Sequence, residues 1–312
     1  MRLRPSVFLI AVLTTLLGLG FRPRGAFAAP GLDEHLRSKA PSIVEVKCVL
    51  KIHISFGAQA LDRERKVEIA AAVVDPSGLV MLTNLGLGGD SGGIQKALLA
   101  KRFPGAEMTA VPTDLRVLIG DDAVEHDAVL VARDSQLGLA YVQVLGLESK
   151  TLASIDLSKG GTPRVGQDLF GVTRFDRSFD YAPEIRTLYA NRRVEQPRLL
   201  WGIAGDFQGI GLPVFDTGGA PVGVLSIQGG TDDGGDRGGF LLPLDAVAKS
   251  LDSARKRVPE ALAKAAEEKE KAAKEAKEAK EAKEAKESPK DPPKDAPPAD
   301  GPAMGAPPVA PK

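Results

Sequence analysis

Residues 208–224 read QGIGLPVFDTGGAPVGV. Two short apolar runs, 212–215 and 221–224, flank Thr217-Gly218-Gly219. Glycine supplies the positive φ that tight turns between strands require, so the stretch predicts a β-hairpin. Similar β-branched runs recur through most of the chain. Examples are SIVEVKCVLKIHI (42–54), VEIAAAVVD (67–75), LVMLTN (79–84), LRVLIG (115–120), DAVLVARD (127–134) and LAYVQVLG (139–146). Beyond them come QDLFGVTRF (167–175), EIRTLYANRRV (184–194) and GGFLLPL (238–244). Many short strands with Gly, Pro and Asp between them predict an all-β barrel or sandwich. Helical spacing occurs in 244–258, where Leu244, Val247, Ala248 and Leu251 share a face.

Both ends of the 312-residue chain differ from this middle. Residues 1–28 combine Arg2 and Arg4, an apolar run over 7–21 and the small-x-small triplet Ala26-Phe27-Ala28. That pattern predicts a cleaved export signal, because the apolar run falls short of the ~20 residues a membrane span needs. A mature protein in the periplasm or cell envelope, with no transmembrane span, follows. The signal holds four of the 41 basic residues and none of the 41 acidic ones, so the mature chain is slightly acidic. With no basic patch interleaved with aromatics, nucleic acid is excluded as a partner. The single Cys48 has no disulfide partner in the chain and reads as a small buried apolar residue.

From Pro259 the composition becomes Ala, Lys and Glu, with KEAKEAKEAKEAKE at 274–287, followed by a Pro-rich end over 288–312. The first part predicts a solvated helix over 259–287, roughly 44 Å long at 1.5 Å per residue. Its three-residue repeat falls behind the helical turn by about 60° each time, so no apolar stripe forms for a coiled coil. Opposite charges stand at i,i+4 in Lys274–Glu278, Lys277–Glu281, Lys280–Glu284 and Lys283–Glu287. The Pro-rich end predicts disorder.

Four segments in order resemble the peptidase core of the HtrA/Deg group of trypsin-like serine peptidases. They are AAAVVDPSGLVMLTNLG (70–86), DSQLGLAYV (134–142), QGIGLPVFDTGGAPVGV (208–224) and GGFLLPLDAV (238–247). The resemblance spans most of 40–250. It implies two six-stranded β-barrels, over 36–150 and 151–257, a short C-terminal helix, and then the long charged helical tail. It also implies a site in the cleft between the barrels.

Acyl transfer of that family's kind needs a serine, a histidine and an aspartate. By the resemblance those positions fall on Ile210, Gly86 and Gly138. None of these side chains can attack, exchange a proton or orient a base. Gln208 stands where the family carries an oxyanion-hole glycine. No peptide-binding PDZ domain is readable after the core.

One segment competes. Gly89-Asp90-Ser91-Gly92-Gly93 matches the trypsin-like nucleophile signature, yet it follows Asn84 by only seven residues, in the first barrel. Ser91 therefore reads as a loop residue, with a relocated nucleophile as the competing reading. His35, His53 and His126 are scattered and form no ligand spacing. Asp232, Asp233 and Asp236 supply the oxygen ligands calcium prefers, but their spacing fits no established loop and reads as solvated turn. Trp201 is a core aromatic or a contact in the cleft. The expectation is thus an exported, catalytically inactive protein that needs no cofactor and binds a peptide or protein. The alternatives are a serine endopeptidase using Ser91 and an envelope scaffold acting through its tail. Oligomeric state is left open.

Overall fold

The structure, a computed structural model, describes residues 31–57, 59–89, 101–120, 124–148, 150–206, 208–228 and 238–287, and the helix side chains at 272, 273 and 276–287 are outside that description. After helix α1 (Leu32–Lys39) come β1 (Ile43–Phe56), β2 (Gln59–Asp75), β3 (Leu79–Thr83), β4 (Ala106–Ile119), β5 (Val124–Asp134) and β6 (Leu139–Val144). They close into an antiparallel barrel in the order β1-β2-β3-β6-β5-β4. A second closed barrel, β10-β11-β12-β9-β8-β7, follows. Its strands are β7 (Asp168–Arg174), β8 (Pro183–Val194), β9 (Leu200–Gly205), β10 (Pro213–Asp216), β11 (Pro221–Gln228) and β12 (Gly238–Leu242).

Strand alternation explains where the core sits. In β1, Val44, Val46, Cys48 and Leu50 are buried inside the first barrel. In β3 and β6 every residue is buried. Val80, Leu82, Ala140 and Val142 fill the first barrel. The intervening Leu79, Met81, Leu139 and Tyr141 join the cluster of Phe170, Val214, Phe215 and Leu241 from the second. Period two thus gives these strands one face for their own barrel and one for its neighbour. At ~1.5–3 kcal/mol per fully buried large aliphatic or aromatic side chain, this shared cluster welds the barrels together. Both belong to one compact unit ending at Ala263.

Long-range polar contacts secure the same junction. Arg174 of β7 donates to the carbonyls of Ile43, Ala40 and Tyr181 at 2.6, 3.0 and 3.0 Å. The α1 ring of His35 stacks on Phe170 at 4.9 Å and donates to the Thr217 carbonyl at 3.1 Å. Helix α2 (Leu244–Glu287) buries Val247, Leu251 and Ala254 at i, i+4 and i+7. Flanking that stripe, Ser250 donates to Asp134 and Arg255 to Asp75, at 2.7 and 3.0 Å.

Two expectations need correction. Pro259 does not open a new helix: it lies inside α2, which runs unbroken to Glu287. Proline forfeits one backbone hydrogen bond there. Residues 244–258 are held helical by packing and the following Ala, Lys and Glu by propensity, so the helix passes through it. Strand β2 also starts at Gln59, eight residues ahead of the apolar run that predicts it, because β1 pairs with it along its whole length. The second unit, Lys264–Lys312, is helical to Glu287 and carries an exposed Glu270–Lys274 pair at 2.7 Å. Such a pair contributes about 0.3–0.5 kcal/mol.

Candidate functional site

The end of β3, the β5–β6 turn and the β9–β10 loop meet at one place. The backbone N–H of Asn84, just past β3, donates to the carbonyl of Gly138 at 2.8 Å. Gly138 sits in a turn capped by Asp134, whose carboxylate accepts from the N–H groups of Gln136 and Leu137 at 3.1 and 2.9 Å. Gly211, next to Ile210, lies so near β3 that a Cβ on it would fall 2.4 Å from the Thr83 nitrogen. The segments bearing Gly86, Gly138 and Ile210 are therefore in contact across the junction of the barrels. The architecture is a pair of closed six-stranded antiparallel barrels, as the resemblance implies.

No family model matches the chain, and no curated protein matches it. Many solved structures match, among them the following two. The crystal structure of Deg5 is 16% identical, covers 70% of this chain and 90% of that one, and superposes with a TM-score of 0.45. The apo form of the MamO protease domain from Magnetospirillum magneticum is 15% identical, covers 68% and 97%, and has a TM-score of 0.42. Similarity this distant does not bear on activity.

The chemistry of the meeting place follows from its side chains. Gly86 lies in the 3-10 turn Leu85–Leu87, where a Cβ would meet the Ile69 side chain at 2.5 Å. The room a histidine would need there is thus taken by Ile69. Ile210 is half-buried. Its N–H donates to the Gln208 carbonyl at 2.8 Å, and the next two N–H groups donate to Leu225 and Gly209 at 2.7 and 2.9 Å. An oxyanion hole is built from backbone N–H groups aimed at an empty position, one of them the nucleophile's own. The Ile210 N–H is bonded within its own loop. Asn84 is 2% exposed, and its side-chain oxygen is buried without a partner among the described residues. Arg133 donates to the neighbouring Leu87 carbonyl at 3.1 Å.

The remaining candidates lie apart. Ser91, Asp232, Asp233 and Asp236 fall outside the described residues. Trp201 is buried in β9 and lines a cavity of about 720 Å³ with Leu157, Arg193, Leu199 and Leu244. None of Gly86, Gly138 and Ile210 lines that cavity. His53 on β1 pairs with Asp62 at 2.7 Å, and His126 stands on β5 opposite Val117. Among the described residues no three His, Cys, Asp or Glu side chains are grouped to hold a metal ion. No described helix is long and apolar enough to cross a membrane. Burial pushes the Cys48 thiol up to about 11, which keeps it un-ionised and unreactive near neutral pH.

Sequence reasoning missed two features. One is Glu45, a carboxyl buried on β1 beside Glu68. The other is the arm that β1, β2 and β4 form beyond the first barrel. Its signal was present in the alternation of 48–56, which continues past the length a barrel wall needs.

Proposed function

We propose that this chain is an exported protein of trypsin-like fold that performs no acyl transfer and binds a peptide or protein partner. The observation that carries the reading is the content of the meeting place. Two glycines and an isoleucine occupy it, and the Ile210 N–H is committed to Gln208. Without nucleophile, base and orienting acid, only weak binding effects on hydrolysis would remain. The pattern of residues 1–28 supports export, and the charged helix beyond Pro259 would serve as a spacer or tether.

The test is hydrolysis of unfolded casein by the purified mature protein. No turnover above buffer is expected. Robust turnover abolished by a serine-directed phosphonate would overturn the reading, and Ser91→Ala would then locate the nucleophile. Ile210→Ser alone is expected to leave hydrolysis at background, since base and acid are still missing. Export is checked separately by the mass of the secreted chain, expected to begin at Ala29.

A further inference from the structure

We propose that one face of the β1–β2–β4 arm is a docking surface for an extended segment bearing one large apolar side chain followed by two carboxylates at two-residue spacing. The inference deepens the partner-binding reading above and rests on it only for the existence of a partner.

Strand pairing defines the arm. β2 pairs with β3 only over Ala72–Asp75, and β4 with β5 only from Arg116 onward. Below those points β2 and β4 pair solely with β1, so three strands project past the barrel. The register places Phe56 between Gln59 and Ala106, Ile54 between Leu61 and Met108, and Ile52 between Arg63 and Ala110. Directly paired residues share a face, and so do residues two apart. One face of the arm is therefore apolar, with Arg63 and Arg65 as its charges. The opposite face carries the polar set, where His53 meets Asp62 at 2.7 Å and Lys51 meets Glu64 at 4.0 Å.

Two facts identify the occupant. The apolar face does not close on itself: Phe56, Leu61 and Phe103 are 49%, 46% and 49% exposed around a groove of about 680 Å³. A concave apolar groove of that size suits an anchoring side chain. Beside the groove, Arg63 and Arg65 are exposed and make no ion pair among the described residues. They stand two residues apart on one strand, a spacing of roughly 7 Å, which carboxylates at i and i+2 of an extended segment reproduce. A second copy stacking the same face would bring arginines and no carboxylate to meet them. A bilayer would favour a convex apolar tip over a groove.

The experiment uses the full mature chain and labelled peptides read by fluorescence anisotropy. One peptide carries Phe, Glu and Glu at alternate positions with serine between, and its counterpart replaces each Glu by Lys. The acidic peptide is expected to bind at least tenfold tighter. The double change Arg63→Glu with Arg65→Glu is expected to reverse that preference, and Leu61→Asp to weaken both peptides tenfold or more. All three side chains are exposed, so thermal unfolding of the variants is expected to match the parent. An unchanged preference after charge reversal would overturn the proposal. So would anionic vesicles retained by the parent and released by charge reversal, or a dimer in sedimentation lost with Leu61→Asp. The two readings fail separately: a cleaved probe, read by mass, counts against the non-catalytic reading and leaves the docking face standing.

Discussion

Raising the pH from 5 to 9 is expected to destabilise the barrels by on the order of 4 kcal/mol through one carboxyl group, Glu45. Its side chain is 7% exposed. Burial, and then the nearby Glu68 carboxylate, push its pKa from 4.5 up to about 8, against the opposing pull of Arg174 and Lys47. Both cations also have other partners. Arg174 donates to three backbone carbonyls, and Lys47 meets Glu125 at 2.9 Å while lying over the Tyr181 ring. Tyr181 in turn donates toward both Glu68 oxygens at 3.4 Å. The sign follows from proton counts. Between about pH 4.5 and 8 the folded chain keeps a proton on Glu45 that the unfolded chain has released, so stability falls as pH rises across that window. A tenfold difference in proton affinity between the folded and unfolded chain is worth about 1.4 kcal/mol. The carboxyls of Asp156 and Asp176, held low by hydrogen bonds from Ser158 and Ser178, titrate below the window and do not blur it. Glu45→Gln keeps the shape and removes the charge. Urea midpoints at pH 5, 7 and 9 should fall for the parent and stay level for the variant, which is the more stable at pH 9. Parallel profiles would show that Glu45 ionises freely.

The same residue shows where sequence reading stops. Glu45 sits in SIVEVKCVL, an alternating run that predicts β1 and sends Val44 and Val46 inward. Alternation then assigns Glu45 to the outside, and outside usually means water. Here the outside of the first barrel is covered by the second, a long-range fact that no local pattern carries. The converse holds for β3 and β6. Their continuous apolar runs signal burial on both faces, and that is what the shared core supplies. β9 escaped recognition because RLLWGIAG mixes small and large residues without clean alternation. The beginning of β2 escaped because ALDRERK is charged at three of four positions on one face and at two of three on the other. The ordered motifs pointed to the segments around Asn84, Gly138 and Gly211, which the structure brings into contact. The bond from the Ile210 N–H to the Gln208 carbonyl was not legible, because it depends on the path of the loop.

Gly211→Ala is expected to cost on the order of 3–4 kcal/mol, far more than the substitution costs at an ordinary surface glycine. Two independent effects add. The backbone at Gly211 has φ +87, a conformation that opposes any L side chain by about 1–2 kcal/mol. The new methyl would also stand 2.4 Å from the Thr83 nitrogen and 2.8 Å from the Leu82 carbonyl carbon. Both are main-chain atoms inside β3, so no rotamer change can relieve the contact, and the barrels must separate or the loop must move. Movement of the loop is itself resisted, because the Gly211 N–H donates to Leu225 at 2.7 Å and Leu225 donates back to Leu212 at 2.9 Å. Gly166 separates the two effects. It has φ +83 with nothing within 4 Å of a Cβ, so Gly166→Ala should lose only the conformational part. Equal losses for the two variants in urea unfolding would mean that the barrels do not approach at Gly211. A large loss at Gly211 alone would place the close contact of the two barrels at the residue beside Ile210. The segments bearing Gly138 and Ile210 are then held against β3 by backbone packing.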